Sequence, residues 1–163
     1  MSRGRESWWW VLLSVLLASL LTVIAVPEPI RVLRPFWLAL IVIYWTIEAP
    51  ERFGIGFAFV LGLLQDLLVG TLLGEHAFRL AIISFIVLRF RSRLRFFPMW
   101  QQALAVAALL LNDRIVVLLL RAIAGEFAID WRYWLAPVIG AALWPWVFLL
   151  LDDLRSRGRQ RES

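Results

Sequence analysis

GIGFAFVLGLLQDLLVGTLLGEHAFR, residues 54–79, decides what kind of protein this is. It has the length and apolarity of a bilayer-crossing helix, which needs about 20 apolar residues. Yet Gly54, Ala58, Gly62, Asp66, Gly70 and Gly74 recur in it at every fourth position. Steps of four advance about 40° around a helix. The spacing therefore predicts an inclined ridge of small side chains with one carboxylate in it, suited to close contact with a crossing helix. A carboxylate at that depth costs about 3 kcal/mol on insertion scales, so Asp66 is expected to face protein or a polar cavity and not lipid. The stretch ends at a Gly74-Glu75-His76 turn, with Arg79 just beyond it.

The rest of the composition agrees with a membrane solvent. Of 163 residues 62% are hydrophobic, and the mean hydropathy is +0.80; soluble domains run nearer half apolar. The net charge of +5 does not point to a nucleic-acid partner, because every basic residue is an arginine and the arginines cluster at the ends of apolar runs, as the positive-inside rule places them. Cysteine is absent, which removes disulfides, thiolate metal sites and thiol nucleophiles. The chain also lacks a Gly-rich phosphate loop, HExxH, GxSxG and carboxylates clustered to hold Mg²⁺, so neither an enzyme nor a metal or other cofactor is expected.

Six apolar segments predict an all-α integral membrane protein, a compact six-helix bundle forming a single domain over 1–163. The segments are residues 8–26, 35–49, 53–73, 77–90, 99–120 and 134–151, followed by a basic tail, 152–163. Segment 8–26 follows Arg3 and Arg5 as a signal peptide would. It has the length of a full span, opens with three tryptophans and lacks a small-residue cleavage site before Pro27, so it reads as a retained helix. The Pro27-Glu28-Pro29 turn closes it, and Pro145 is expected to kink the sixth segment. Six spans put both termini on one side with eleven arginines, against four on the other; that asymmetry places the termini in the cytoplasm. Trp8, Trp9, Trp10, Trp37, Trp100, Trp131, Trp134 and Trp146 lie mostly at span ends, as interfacial anchors do.

With that topology Asp66 and Asp113 both lie about 20 Å along their helices from the cytoplasmic face. Arg79 comes to a similar depth on the fourth segment. Asp66, Arg79, Asn112, Asp113 and Arg114 are therefore expected to meet as an intramembrane polar network, with Gln65 and His76 to complete its hydrogen bonding. Two readings stand open: a neutral ion-pair network that fixes helix pairing, or a polar cavity or switchable lock that responds to a partner. His76, the sole histidine, reads as a turn residue or hydrogen-bonding partner more readily than as a ligand or base. The loop 88–98, LRFRSRLRFFP, carries Arg89, Arg91, Arg93 and Arg95 between apolar residues. It suits anionic lipid headgroups, and alternatively an acidic cytoplasmic partner. The tail RSRGRQRES is read in the same way and is expected to be disordered.

Five short motifs in order carry a family resemblance. Arg34-Pro35-Phe36-Trp37 is followed by Tyr44-Trp45, then Pro50 and Arg52, then Gly62 with Asp66, Gly70 and Leu73-Gly74. Trp100-Gln101-Gln102-Ala103-Leu104 and Leu143-Trp144-Pro145-Trp146 complete the set. Together they resemble the rod shape-determining MreD family in its Gram-negative form. The resemblance implies a multi-pass protein of the bacterial inner membrane that acts as a non-catalytic scaffold of the cell-wall elongation machinery. It implies association with MreC, a single-span protein, and through it with the MreB filament and with RodA and its transpeptidase partner. It also implies a six-span bundle similar in outline to the substrate-binding subunits of energy-coupling-factor transporters. A small-molecule-binding transporter subunit is accordingly the alternative function. Glu75-His76 after Gly74 and the Asn112-Asp113-Arg114 triplet depart from some relatives, so no binding role is carried over to His76 or Arg114.

Overall fold

The structure, a computed structural model, describes residues 3–24, 26–31, 33–126 and 130–160. The described residues form seven α-helices and no strand: α1 (Arg3–Val23), α2 (Glu28–Arg31), α3 (Trp37–Glu48), α4 (Ile55–Val69), α5 (Glu75–Leu94), α6 (Met99–Ile123) and α7 (Leu135–Gln160), with a 3-10 turn, Trp131–Trp134, before α7.

The bundle is built around α3. Its sequence, WLALIVIYWTIE, is apolar on every side, and a helix apolar all round is one buried all round. It lies against α1, α5 and α7. Leu38, Leu40, Ile43, Tyr44 and Trp45 are all essentially inaccessible. Ring edges interlock there, with Tyr44 at 5.3 Å from Trp45 and 5.5 Å from Phe148. Helix α3 is only 12 residues long, about 18 Å.

The outer helices show the opposite pattern. Helix α6 and the segment Trp131–Gly158 are long and apolar enough to cross a bilayer, yet only 28% of the most apolar stretch of each is buried. Leu12, Leu13, Leu16, Leu17 and Leu20 of α1 point outward, as do Val60, Leu64, Leu67 and Leu68 of α4. Water-soluble monomers rarely expose contiguous apolar surface on this scale, whereas lipid favours it. This is the surface of a membrane protein. The bundle has two ends: a terminal end, where Trp10 lies beside Gly158, and a corner end, where α4 turns into α5.

Three sequence expectations need correction. Segment 53–73 is not one long helix. Helix α4 stops at Val69 because Gly70 takes φ +74° and Gly74 takes φ +103°, left-handed values that glycine adopts without steric cost. Gly54 precedes the helix as its N-cap, so Gly54, Gly70 and Gly74 leave the ridge; Ala58, Gly62 and Asp66 remain on α4, buried together with Leu61 and Gln65.

Loop 88–98 is mostly helix. Helix α5 carries Arg89, Arg91 and Arg93 and ends with Arg95 as its C-cap. Two contacts hold its last turns: Arg91 donates from Nε to the Ile47 carbonyl at 2.7 Å, and Gln102 donates to the Leu94 carbonyl at 2.9 Å.

The tail is helical as far as Gln160, where disorder was expected. Arg155 pairs with Glu48 of α3, Tyr44 donates to Asp152 at 3.5 Å, and Arg157 pairs with Asp153 one turn away at 2.9 Å. These partners come from the core helix and from the tail itself. The basic tail's Arg161, and the side chains at 3, 5 and 159, lie outside the described residues.

Candidate functional site

Helices α4 and α5 pack in close contact, and Gly62 is the reason. A Cβ built on Gly62 would overlap the backbone of Ala77 and His76. Only hydrogen fits where these two helices touch, which is the use that membrane bundles make of small residues. The small-residue stripe is therefore consumed inside the chain, against α5.

Asp66 lies one turn further along the same stripe and closes the corner. Its side chain is buried. Oδ1 accepts from the Thr71 hydroxyl at 2.9 Å, from the His76 backbone N–H at 2.9 Å, and contacts His76 Nδ1 at 2.8 Å. Oδ2 accepts from the Gly74 N–H at 2.8 Å. Gly74 and His76 sit at the start of α5, where backbone N–H groups lack intrahelical acceptors and the helix dipole is positive. The carboxylate thus caps α5 from the preceding helix. Its charge is met by oriented amides and by no arginine, which is how a buried anion is held at a helix N-terminus.

Arg79, one turn along α5 from Glu75, makes the second cluster. Its Nε and Nη2 each donate to one oxygen of Asp113 on α6 at 2.7 Å, a bidentate pair. The guanidinium lies 4.4 Å from the centroid of the Phe36 ring and 3.8 Å from Glu75 Oε1. Both members are buried, Asp113 to 2% exposure and Arg79 to 9%. Phe36 in turn meets the His76 ring edge-on at 5.7 Å, so the two clusters share a wall.

The expected single network of five residues is therefore two separate clusters, one around Asp66 and one of Arg79 with Asp113, with Arg114 and Asn112 outside both. Asp66 and Arg79 take different partners because α4 ends early and delivers the α5 N-terminus to Asp66. Arg114, about 100° around α6 from Asp113, stacks on Tyr133 at 4.3 Å and donates to the Arg34 carbonyl at 3.4 Å. Arg34 itself donates to the carbonyls of Thr22 and Ile24 at the end of α1. Asn112 faces a groove between α5 and α6. Gln65 is buried with neither amide atom hydrogen-bonded among the described residues.

Several contributors escaped the sequence reading. Thr71, Phe36, Tyr133 and Arg34 hold the charged groups. Arg34 and Phe36 stood in a family motif without an assigned role; of the other two, only Thr71 carried a local signal, a hydroxyl directly after a helix-ending glycine.

The matched region spans both clusters. Residues 4–154 fit the family description "rod shape-determining protein MreD". The chain belongs to the MreD family. The rod shape-determining protein MreD of Haemophilus influenzae is 31% identical over 150 residues, which cover 92% of this chain and 93% of the relative. No solved structure matches the chain. Membership supports a role in determining rod shape, and it covers every helix of the bundle except the last turns of α7.

Proposed function

We propose that this MreD-family protein is a multi-pass scaffold of the bacterial inner membrane, with six membrane-embedded helices (α1 and α3–α7) in a single domain and both termini in the cytoplasm. In this reading it binds an MreC-like single-span protein and helps to position peptidoglycan synthesis, in one assembly with MreB, RodA and its transpeptidase partner. The observation that carries the reading is the family match over almost the whole chain, and the outward apolar faces of α1, α4, α6 and α7 support it. The arginine asymmetry supports the orientation. The internal pairing of Asp66 and of Arg79 with Asp113 supports a structural lock, since each charged group is already occupied by its own chain. Because Ala58 and Gly62 are packed inside, the partner helix meets another face.

Two experiments test this. Tagged full-length protein extracted from native membranes is expected to bring down an MreC-like protein; recovery of a solute-transport ATPase in its place would favour the transporter reading. For orientation the natural absence of cysteine permits single-cysteine labelling. Leu72→Cys, at the exposed corner, should react with an impermeant maleimide from the periplasmic side, and Ser156→Cys only after the membrane is opened. The reverse pattern would invert the topology.

A further inference from the structure

Helices α5 and α6 follow each other through a short connection, yet a groove of ≈ 360 Å³ opens between them. Ile86, Phe90, Leu94 and Phe97 line one wall, Ala105, Ala108 and Leu109 the other. Arg93 stands at one end of the groove and Asn112 at the other. From Ile86 to Leu94 the α5 wall rises about 12 Å, most of the depth of one leaflet in a hydrocarbon core of roughly 30 Å. Apart from Arg93 and Asn112 its lining is entirely apolar, a surface suited to a hydrocarbon chain.

The charge at its mouth selects the headgroup. Arg91 is engaged by the Ile47 carbonyl, and Arg155 by Glu48. The Arg93 side chain is exposed and makes no hydrogen bond or ion pair among the described residues, and Arg89, one turn back on the same face, is also exposed. The exposed Phe96 and Trp100 beside this end are the aromatic residues that mark a headgroup level. At the other end the Asn112 amide terminates the apolar floor and sets the length of chain admitted.

We propose that the α5–α6 groove binds one acyl chain of an anionic glycerophospholipid, with the lipid phosphate on Arg93 and the chain running toward Asn112. The inference rests on the membrane-embedded reading above, but not on the identity of the protein partner. Bound in this way, the lipid fills the seam between the helix that carries Arg79 and the helix that carries Asp113.

The test is native mass spectrometry of the full-length protein in detergent, titrated with phosphatidylglycerol or phosphatidylcholine. The wild type is expected to retain one phosphatidylglycerol in preference to phosphatidylcholine. Arg93→Gln should lower that retention about fivefold, the factor for one surface arginine, Arg93→Lys should restore most of it, and Ala108→Phe should remove it by filling the groove. Arg93 is exposed, so its variants keep the test valid even if Ala108→Phe does not fold. Equal retention of both lipids by the wild type, or unchanged phosphatidylglycerol retention in Arg93→Gln, would overturn the proposal. So would an Ala108→Phe variant that still holds the lipid but loses a co-purifying MreC-like protein, since the groove would then be a protein contact. Lost lipid with the protein partner retained would support the lipid site and separate it from the scaffold reading.

Discussion

Replacing Asp113 with alanine strands the Arg79 guanidinium in a site where it is 9% exposed. Removing one member of a buried ion pair costs about 3–5 kcal/mol, because the surviving charge is left without its partner. Here Arg79 keeps Glu75 at 3.8 Å and the Phe36 ring at 4.4 Å, which places the expected loss at the lower end, about 3 kcal/mol. For a chain of this length each kcal/mol moves the melting temperature by about 2–4 °C. Asp113→Ala should therefore melt roughly 6–12 °C below the wild type, followed by far-ultraviolet circular dichroism in a mild detergent. The double variant Arg79→Met with Asp113→Leu removes both charges and keeps the volume. It should recover to within about 1 kcal/mol of the wild type, since desolvation of the pair offsets most of its attraction. The reasoning is refuted if the double variant melts as low as the single one, or if Asp113→Ala moves the transition by less than about 2 °C.

Other substitutions probe the corner. Gly62→Ala should destabilise by about 1–3 kcal/mol, because its methyl collides with the Ala77 backbone. Gly56→Ala, on the same helix with nothing within 4 Å of the new methyl, should be neutral or stabilising by about 0.5–1 kcal/mol. Equal melting temperatures for the two would deny the close approach of α4 and α5. Asp66→Ala should lower stability by about 3 kcal/mol through loss of the α5 cap, and Thr71→Val by about 1 kcal/mol; an Asp66→Ala protein as stable as the wild type would mean that the cap is dispensable. Gly70→Ala puts a side chain at φ +74° and should cost about 1 kcal/mol, readable in the same melts.

The apolar segments and their order were legible, because long runs without charge have few alternatives in any solvent. Where the helices end was less so. The glycines at 70 and 74 fit the four-residue ridge as well as they fit a left-handed corner, and only the path of the chain separates a packing glycine from a turning one. That ambiguity carried through to the charges. Depth arithmetic placed Asp66, Arg79 and Asp113 at one level, but level says nothing about azimuth. The corner presented Asp66 with backbone amides, which have no signature in the sequence. The tail misled for a related reason: it was expected to be a disordered basic stretch, because the pairing of Arg155 with Glu48 joins residues 107 positions apart and leaves no local pattern.

Helix α3 has a consequence for the making of the protein. Its partners Asp152, Arg155 and Phe148 all lie on α7, about 100 residues further along the chain. While the ribosome is still working through α4 to α6, Glu48 and the Tyr44 hydroxyl lack those partners, in a segment shorter than the bilayer is thick. The cover over this side of α3 is therefore completed only when α7 arrives. A chain truncated before about residue 148 should be degraded faster than the intact chain in a pulse-chase experiment, because Glu48 and the Tyr44 hydroxyl then stay without these partners.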